Sequence, residues 1–399
     1  MPSTFMGLEI GKRGLMAHQQ ALHVTGHNIS NADNENFSRQ RVIMTAADPL
    51  YLPSLNRANT PGNIGQGSVV QEVQRIRDNF IDDRIVVEEN NLGYWQVRNE
   101  FIQQIEMVYN EPSEDSIRSR LDDLWRSWQE LSLHPEERST REVVSENAVG
   151  LTDEIRHVYQ QLQALRNNAN QQVSHRVARI NTLAQNIRDL NERIMKSQAL
   201  GDNPNDLMDQ RDAMIEELSR IVDISVSRSD SDEIIVYIGQ ENLIQGEIVH
   251  PLAAVADPQN NGMFRVVWQE TNTPIHNTGG ELGGLIEVRD NVLLENINDV
   301  NAFAVNLMDL TNEVHRDGFG RNGETNVDFF QYTPITSDAD GNYDLNNDGV
   351  NDVTAIFRVT GNNVIDASAA IGITGTLTFV TNDAQEQQVQ IDYNANDTV

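Results

Sequence analysis

The sequence predicts a mainly α chain, a long helical rod or bundle carrying small antiparallel β insertions, and three observations lead to that class. Residues 139–197 keep apolar side chains at gaps of mostly three and four, the period of one helical face. Two further segments repeat apolar residues every seven positions, and residues 223–275 switch to period two, the alternation of a half-buried strand. At 399 residues the chain is long enough for two or three units, each with its own core.

In chain order, residues 4–31 form an amphipathic helix in which Leu8, Leu15, Leu22 and Ile29 stand seven apart, a stripe suited to wrapping against another helix. The positions three residues on are Gly11, His18 and Thr25. So thin a stripe does not offset the ordering entropy of roughly 1–2 kcal/mol per residue, and the helix needs partners in order to fold. Residues 32–71 are rich in Asn, Pro and Gly around the short apolar runs 41–44 and 68–73, which read as extended segments. A helix resumes near residue 72, with Val73, Phe80, Val87, Tyr94, Phe101 and Val108 each seven apart.

After Glu111-Pro112-Ser113 comes a short helix with Leu121, Leu124, Trp125, Trp128 and Leu131. Residues 139–197 follow as a rod of roughly 85 Å at 1.5 Å per residue. Gly201-Asp202-Asn203-Pro204 turns the chain into a helix over 205–221. Runs at 224–226, 234–238, 243–244, 248–249 and 264–268 make one small antiparallel sheet, and helix returns over 281–316. Residues 317–399 carry short β runs at 354–360, 376–380 and 387–392 among Asn, Asp, Gly and Thr. The units so defined are an N-terminal helix and extended segment (1–71), a helical rod (72–222), a small β domain (223–280), a returning helix (281–316) and an acidic β-rich domain (317–399).

Sixty acidic against 29 basic residues give a net charge of −31. Such a surface repels phosphate backbones and excludes nucleic acid as a partner. No cysteine is present, so disulfides and thiolate metal sites are excluded. The N-terminus has no continuous apolar core of a secretory signal, and no run is long enough to insert in a membrane. Neither a nucleophile elbow, a phosphate loop nor a dinucleotide fingerprint occurs, so the chain reads as a non-enzyme.

Two sites have chemistry to weigh. Asp344, Asn346, Asp348 and Asp352, with Gly349 in sixth place, have the spacing of a calcium loop; Ala355 stands where the closing Glu belongs, and a plain Asp/Asn/Gly turn is the other reading. His23 and His27 are four apart on the first helix, a spacing that can hold zinc, but surface or subunit contact is the better reading of them and of His18. Asp82-Asp83 and Asp122-Asp123 lie near arginines and read as ion pairs. Gly279-Gly280 and Gly283-Gly284, beside Leu282 and Leu285, read as close helix packing.

Residues 28–40, Asn28-Ile29-Ser30-Asn31-Ala32-Asp33-Asn34-Glu35-Asn36-Phe37-Ser38-Arg39-Gln40, are similar to the motif shared by flagellar rod, hook and hook-associated proteins, an Asn-rich turn followed by Gly-Tyr-x-Arg-Gln. Asn34 replaces the usual Thr, Asn36 the Gly and Phe37 the Tyr; Asn tolerates a left-handed conformation and Phe keeps the ring, so the turn survives. Residues 205–222, residues 277–290 and Asp328-Phe329-Phe330 resemble signatures of the hook-associated protein 1 family, so the resemblance covers residues 1 to about 330.

The resemblance implies a structural adaptor of the bacterial flagellum at the hook–filament junction, self-assembling on the hook end and presenting a surface to the next junction protein and the filament. Implied partners are copies of itself, the hook protein, the next hook-associated protein and an export chaperone. Implied too is export without a cleaved signal peptide, to the exterior or, for an internal flagellum, the periplasm. It also implies a closing C-terminal helix, which residues 317–399 lack; a chain stopping inside a β-rich domain, or a member without that arm, is the expectation. A non-flagellar coiled-coil scaffold or surface adhesin is the rival reading, against which the segments 28–40 and 205–222 speak.

Overall fold

The computed structural model describes residues 5–49, 65–228, 233–275, 278–321 and 323–330, and the backbone of five short strands beyond. The first helix, α1, runs Met6–Ser30. It ends where the Asn31 N–H turns back to the carbonyls of His27 and Ile29. Strands β1 (Gln40–Ala46) and β2 (Ser68–Arg75) pair antiparallel, with a slip of register between Ile43 and Met44. The side of α1 that carries buried Ala17 and Val24 packs on this hairpin, so the helix has a partner within its own chain.

Residues 72–75 correct the sequence reading. Val73 is a strand residue opposite Val42, because cross-strand pairing outweighs an accidental seven-residue spacing. Helix α2, Asn79–Tyr109, starts only after Asp78, whose carboxylate accepts the Phe80 N–H at 2.9 Å, a side-chain cap for an otherwise orphan donor. Its buried face is Val97, Phe101 and Ile105, while Phe80 and Val87 are exposed. The seven-residue series therefore marks the inner face of α2 at Phe101 but not at Phe80 or Val87.

Helix α3 (Ile117–Leu133) buries Leu124 and Ser127. The 62-residue α4 (Arg138–Ala199) carries the expected seam: Leu151, Val158, Leu162, Val173, Ile180 and Ile187 are all buried. Gly201, at φ +88°, makes the turn into α5 (Asn205–Ile221), and Leu190 and Ile194 of α4 pack on Met208.

The β region consists of two pieces rather than the one sheet expected. Strands β3 (Ser225–Arg228), β4 (Ile234–Ile238), β5 (Glu241–Gln245) and β6 (Ile248–Val249) form a four-stranded antiparallel meander. Strands β7 (Leu252–Ala256) and β8 (Phe264–Trp268) form a separate hairpin. Strand β7 escaped the sequence reading because Leu-Ala-Ala-Val-Ala has no alternation to detect. The buried Asn191 side chain of α4 donates to the Ile234 carbonyl at 3.0 Å and accepts from Arg211 of α5 at 3.0 Å, tying both elements to the meander.

The returning helix is interrupted. Helix α6 (Gly280–Glu287) and helix α7 (Leu293–Arg316) are joined by a π turn, Val288–Val292, the kind of insertion that side-chain periodicity does not reveal. The Arg289 carbonyl in it accepts from Arg166 Nε at 3.2 Å, and its guanidinium reaches the Phe264 carbonyl, Asn170 and Asp290. Burial pushes the Asp290 carboxyl up, but hydrogen bonds from Arg289 and Asn260 outweigh it and hold it below the usual aspartate value. Burial lowers the Arg166 pKa, helped by the like charge of Arg289 and opposed by Asp290.

Beyond α7, β9 (Thr336–Ser337), β10 (Asn342–Asp344) and β11 (Val353–Thr354) pair antiparallel, and β12 (Gly375–Val380) pairs with β13 (Gln388–Tyr393). Residues 355–360, also expected as strand, lie outside the described residues. By contact the chain divides into two compact units, residues 1–119 with 156–297, and residues 120–155 with 298–399.

Inside the first unit, α2, α5 and α6 meet backbone to backbone. A Cβ added to Gly93 would lie 2.1 Å from the Arg220 carbonyl oxygen, one on Gly280 2.7 Å from the same atom, and one on Gly284 2.9 Å from the Tyr94 carbonyl oxygen. The Gly279–Gly284 stretch is thus a packing surface, as its leucines implied. A Gly93→Ala chain should lose about 3 kcal/mol or more, since backbone cannot move aside as a side chain can. Gly150→Ala, in a helical position with nothing within 4 Å, should instead gain roughly 0.5–1 kcal/mol. Denaturant titration of both variants checks the contrast, and equal effects would refute the packing argument.

Candidate assembly latch

The site is built where the segment 28–40 meets α5. Asn28, on the last turn of α1, donates from Nδ2 to the Gln40 carbonyl at 2.8 Å and accepts the Gln40 N–H on Oδ1 at 2.9 Å. One amide side chain thereby closes the whole turn, offering the backbone the donor and acceptor of a strand partner. Within the turn the Asn36 N–H donates to Asn34 Oδ1 at 3.2 Å. Asn36 does not use the left-handed conformation that the motif's glycine suggested, since among the described residues the positive-φ asparagines are Asn110, Asn261, Asn272 and Asn326. The Phe37 ring packs edge-on against His27, with centroids 5.1 Å apart.

Helix α5 presents Asp206, Asp209, Asp212 and Glu216 at spacings of three, three and four, one face of a helix. Asp206 accepts from Gln40 Nε2 at 2.9 Å, and the Ser38 N–H donates to Asp209 at 3.0 Å. Arg75, the last residue of β2, spans Asp209 at 2.8 Å and Asp212 at 2.7 Å. Arg77 reaches Asp82 at 2.9 Å, Glu216 at 2.7 Å and the Ser38 hydroxyl at 3.3 Å. Burial works against the Arg77 charge, yet Asp212, Asp82 and Glu216 more than offset it and its pKa is raised. Asn205 Nδ2 donates to the Val73 carbonyl at 2.8 Å. Neither Arg75, Arg77 nor the acidic face of α5 was singled out in the sequence; the i, i+3 spacing of those carboxylates was the available signal.

Opposite this latch the apolar stripe of α1 points outward. Leu8, Leu15, Leu22 and Ile29 are 73%, 71%, 72% and 71% exposed, and what sets them apart from scattered surface leucines is that they form one row. The turn thus fixes the base of a helix whose outer face is uncovered.

The other residues weighed in the sequence are distributed as follows. His27 Nε2 lies 3.4 Å from Asp206, and among the described residues no group of three or more His, Asp or Glu is placed to hold a metal. Asp82 and Asp83 pair with Arg77 and Arg228, and Asp123 with Arg126. Asp344 ends strand β10; Asn346, Asp348 and Asp352 lie outside the described residues. In the second unit, Phe329 packs against Trp128 and His315 with centroids 5.2 and 5.5 Å away. Asn312 clasps Phe330, donating to its carbonyl and accepting its N–H, both at 2.8 Å. Among the described residues no helix is long and apolar enough to cross a membrane.

A family model described as the flagellar hook-associated protein FlgK helical domain matches residues 102–330. The Bacillus subtilis protein named flagellar hook-associated protein 1 is 31% identical over 362 residues, covering 84% of this chain and 71% of its own length. The Salmonella typhimurium protein of the same name is 30% identical over 342 residues, covering 83% of this chain and 60% of its own. A solved structure titled the flagellar hook junction protein FlgK from Burkholderia pseudomallei has a TM-score of 0.53 at 24% identity, over 62% of this chain and 45% of that one. This last likeness speaks for the fold alone. The chain therefore spans between about half and about seventy per cent of these proteins' own lengths.

The latch makes a local prediction. Asp209→Ala removes the acceptor of the Ser38 N–H and one of the two carboxylates on Arg75, and should cost about 2 kcal/mol for a charged hydrogen bond at a buried site. Amide exchange at Ser38 and Gln40 should quicken, whereas Asp33→Ala, on the exposed side of the same turn, should leave both unchanged. Unaltered protection in Asp209→Ala would show that α5 does not hold the turn.

Proposed function

We propose, from the premise that the chain belongs to the flagellar hook-associated protein FlgK family, that it is a structural adaptor at the hook–filament junction and works by self-assembly. The family is one of structural flagellar components rather than enzymes, and membership removes the non-flagellar scaffold reading. The observation that carries the proposal is the exposed stripe of α1 rooted in a rigid latch. A helix whose outer leucines are open to water, held at a fixed angle by Asn28 and the carboxylates of α5, suits an element that is covered only on assembly.

In this proposal copies of the chain form a layer on the hook end, with the hook protein below and the next hook-associated protein above. An export chaperone shields the outward leucines before assembly, and the protein reaches the flagellum without a cleaved signal. In this proposal the charge of −21 on residues 231–399, against −10 for residues 1–230, keeps neighbouring surfaces apart. The proposal extends to calcium at Asp344, Asn346, Asp348 and Asp352, a loop lacking the bidentate twelfth ligand and hence of modest affinity.

Replacing Leu15 and Leu22 together by Asp places carboxylates in the intersubunit seam, at several kcal/mol for each buried, unpaired charge. Cells carrying the double variant should make and export the protein, build hooks and release unassembled filament subunits; normal filaments would rule out α1 as the assembly element. Calorimetric titration with millimolar calcium should give heat that Asp348→Ala abolishes. Absence of heat in the parent chain would reduce the loop to a turn.

A further inference from the structure

A buried arginine of α4 stands against the one π turn among the described residues. The Val288 N–H bonds to the Gly284 carbonyl, the spacing of four of an α-helix. The Val288 carbonyl is then met by the Leu293 N–H, a spacing of five, so the turn holds one residue more than an α turn does. An uninterrupted α-helix of the same sequence would carry Leu293 and Ile297 about 100° further round its axis. As wound, they are 0% and 3% exposed, and it is the extra residue that brings them to the core.

In α winding the Leu293 N–H would go to the Arg289 carbonyl. Here it goes to Val288, and the Arg289 carbonyl is open to Arg166 Nε at 3.2 Å. Arg166 is 4% exposed; its Nη2 donates to Asn260 Oδ1 at 3.2 Å, and Asn260 donates to Asp290 at 3.0 Å. Asp290 also takes the guanidinium of Arg289. Two buried guanidinium groups thus share one carboxylate, and a cation so placed depends on every acceptor it has, because removing a partner strands charge away from water.

We infer that Arg166 is a positioning residue for the returning helix: by taking the Arg289 carbonyl it keeps residues 288–292 in π winding, and that winding directs Leu293 and Ile297 inward. Cation and extra residue are then a matched pair, each unfavourable without the other. The residue types of the turn supply no competing cause. Val288-Arg289-Asp290-Asn291-Val292 contains neither proline nor glycine, and the remaining source of such a disturbance is a side chain set into the hydrogen-bond ladder. The inference goes beyond the assembly reading and does not depend on it, since every group involved lies within one copy.

A matched pair shows itself by reciprocal rescue. Three full-length chains are compared with the parent by urea denaturation: Arg166→Met, deletion of Asn291, and both changes together. Asn291 is exposed and reaches Glu287 along the helix surface; its removal lets the stretch wind as α with Leu293 and Ile297 still inward. Each single change should lower the denaturation midpoint, the first by leaving the Arg289 carbonyl without this donor, the second by leaving Arg166 Nε without its acceptor. The combined chain should have a midpoint above that of either single variant. Losses that add would show that arginine and turn act independently, and would overturn the inference. If neither deletion chain folds, amide exchange in Arg166→Met decides. Exchange at Leu293 should quicken about tenfold relative to Ile180 of α4, the loss of one buried hydrogen bond, whereas global destabilisation raises both alike. Unchanged relative protection at Leu293 would overturn the inference equally.

Discussion

Everything N-terminal to α2 depends on one arrangement of charge, the two arginines Arg75 and Arg77 set against the carboxylate face of α5. Arg75 is 16% and Asp209 and Asp212 are 6% and 7% exposed, so these groups give up most of their hydration. Partly buried ions are tolerated when each is paired and hydrogen-bonded further, and here the surplus acceptor capacity of Asp209 is spent on the Ser38 N–H. The hairpin, the turn and the foot of α1 are therefore oriented by groups that are largely withdrawn from water and paired with one another. That is why two sequence stretches about 165 residues apart, each recognisable by itself, form one site.

A second device recurs at the joints. Asn28 clasps Gln40, Asn181 clasps Leu252 and Asn312 clasps Phe330, each donating to a carbonyl and accepting the N–H of the same residue. At Gln40 and Leu252 a helix thereby holds the first residue of a strand by imitating a strand edge, which satisfies backbone groups that the strand's own sheet leaves open. Asparagine alone has the reach and the paired donor and acceptor for this. Glutamine would add a rotatable bond and aspartate would lose the donor.

Much of the helical skeleton was legible because burial repeats along a helix: the seam of α4 and the bounds of α5 follow directly from apolar spacing. The failures have separate physical causes. Val73 was drawn into a helix because a spacing of seven says nothing about a strand partner at Val42. The strand β7 has alanines where alternation would be read, and the π turn at Val288–Val292 changes the winding without changing the residue types. At the candidate site the asparagine-rich turn was visible from residue identity and the stripe of α1 from its period. The ligands that hold the turn were not, since an arginine at the end of a strand acquires meaning only from the helix folded against it.

The close approach of α2, α5 and α6 at Gly93, Gly280 and Gly284 has a mechanical consequence. Side-chain contacts yield under load by changing rotamer, which gives most helix interfaces a soft first response. Three helices that touch through carbonyl oxygens have no such freedom, so sliding one past another must distort peptide geometry itself. This part of the first unit responds to twisting as a stiff solid.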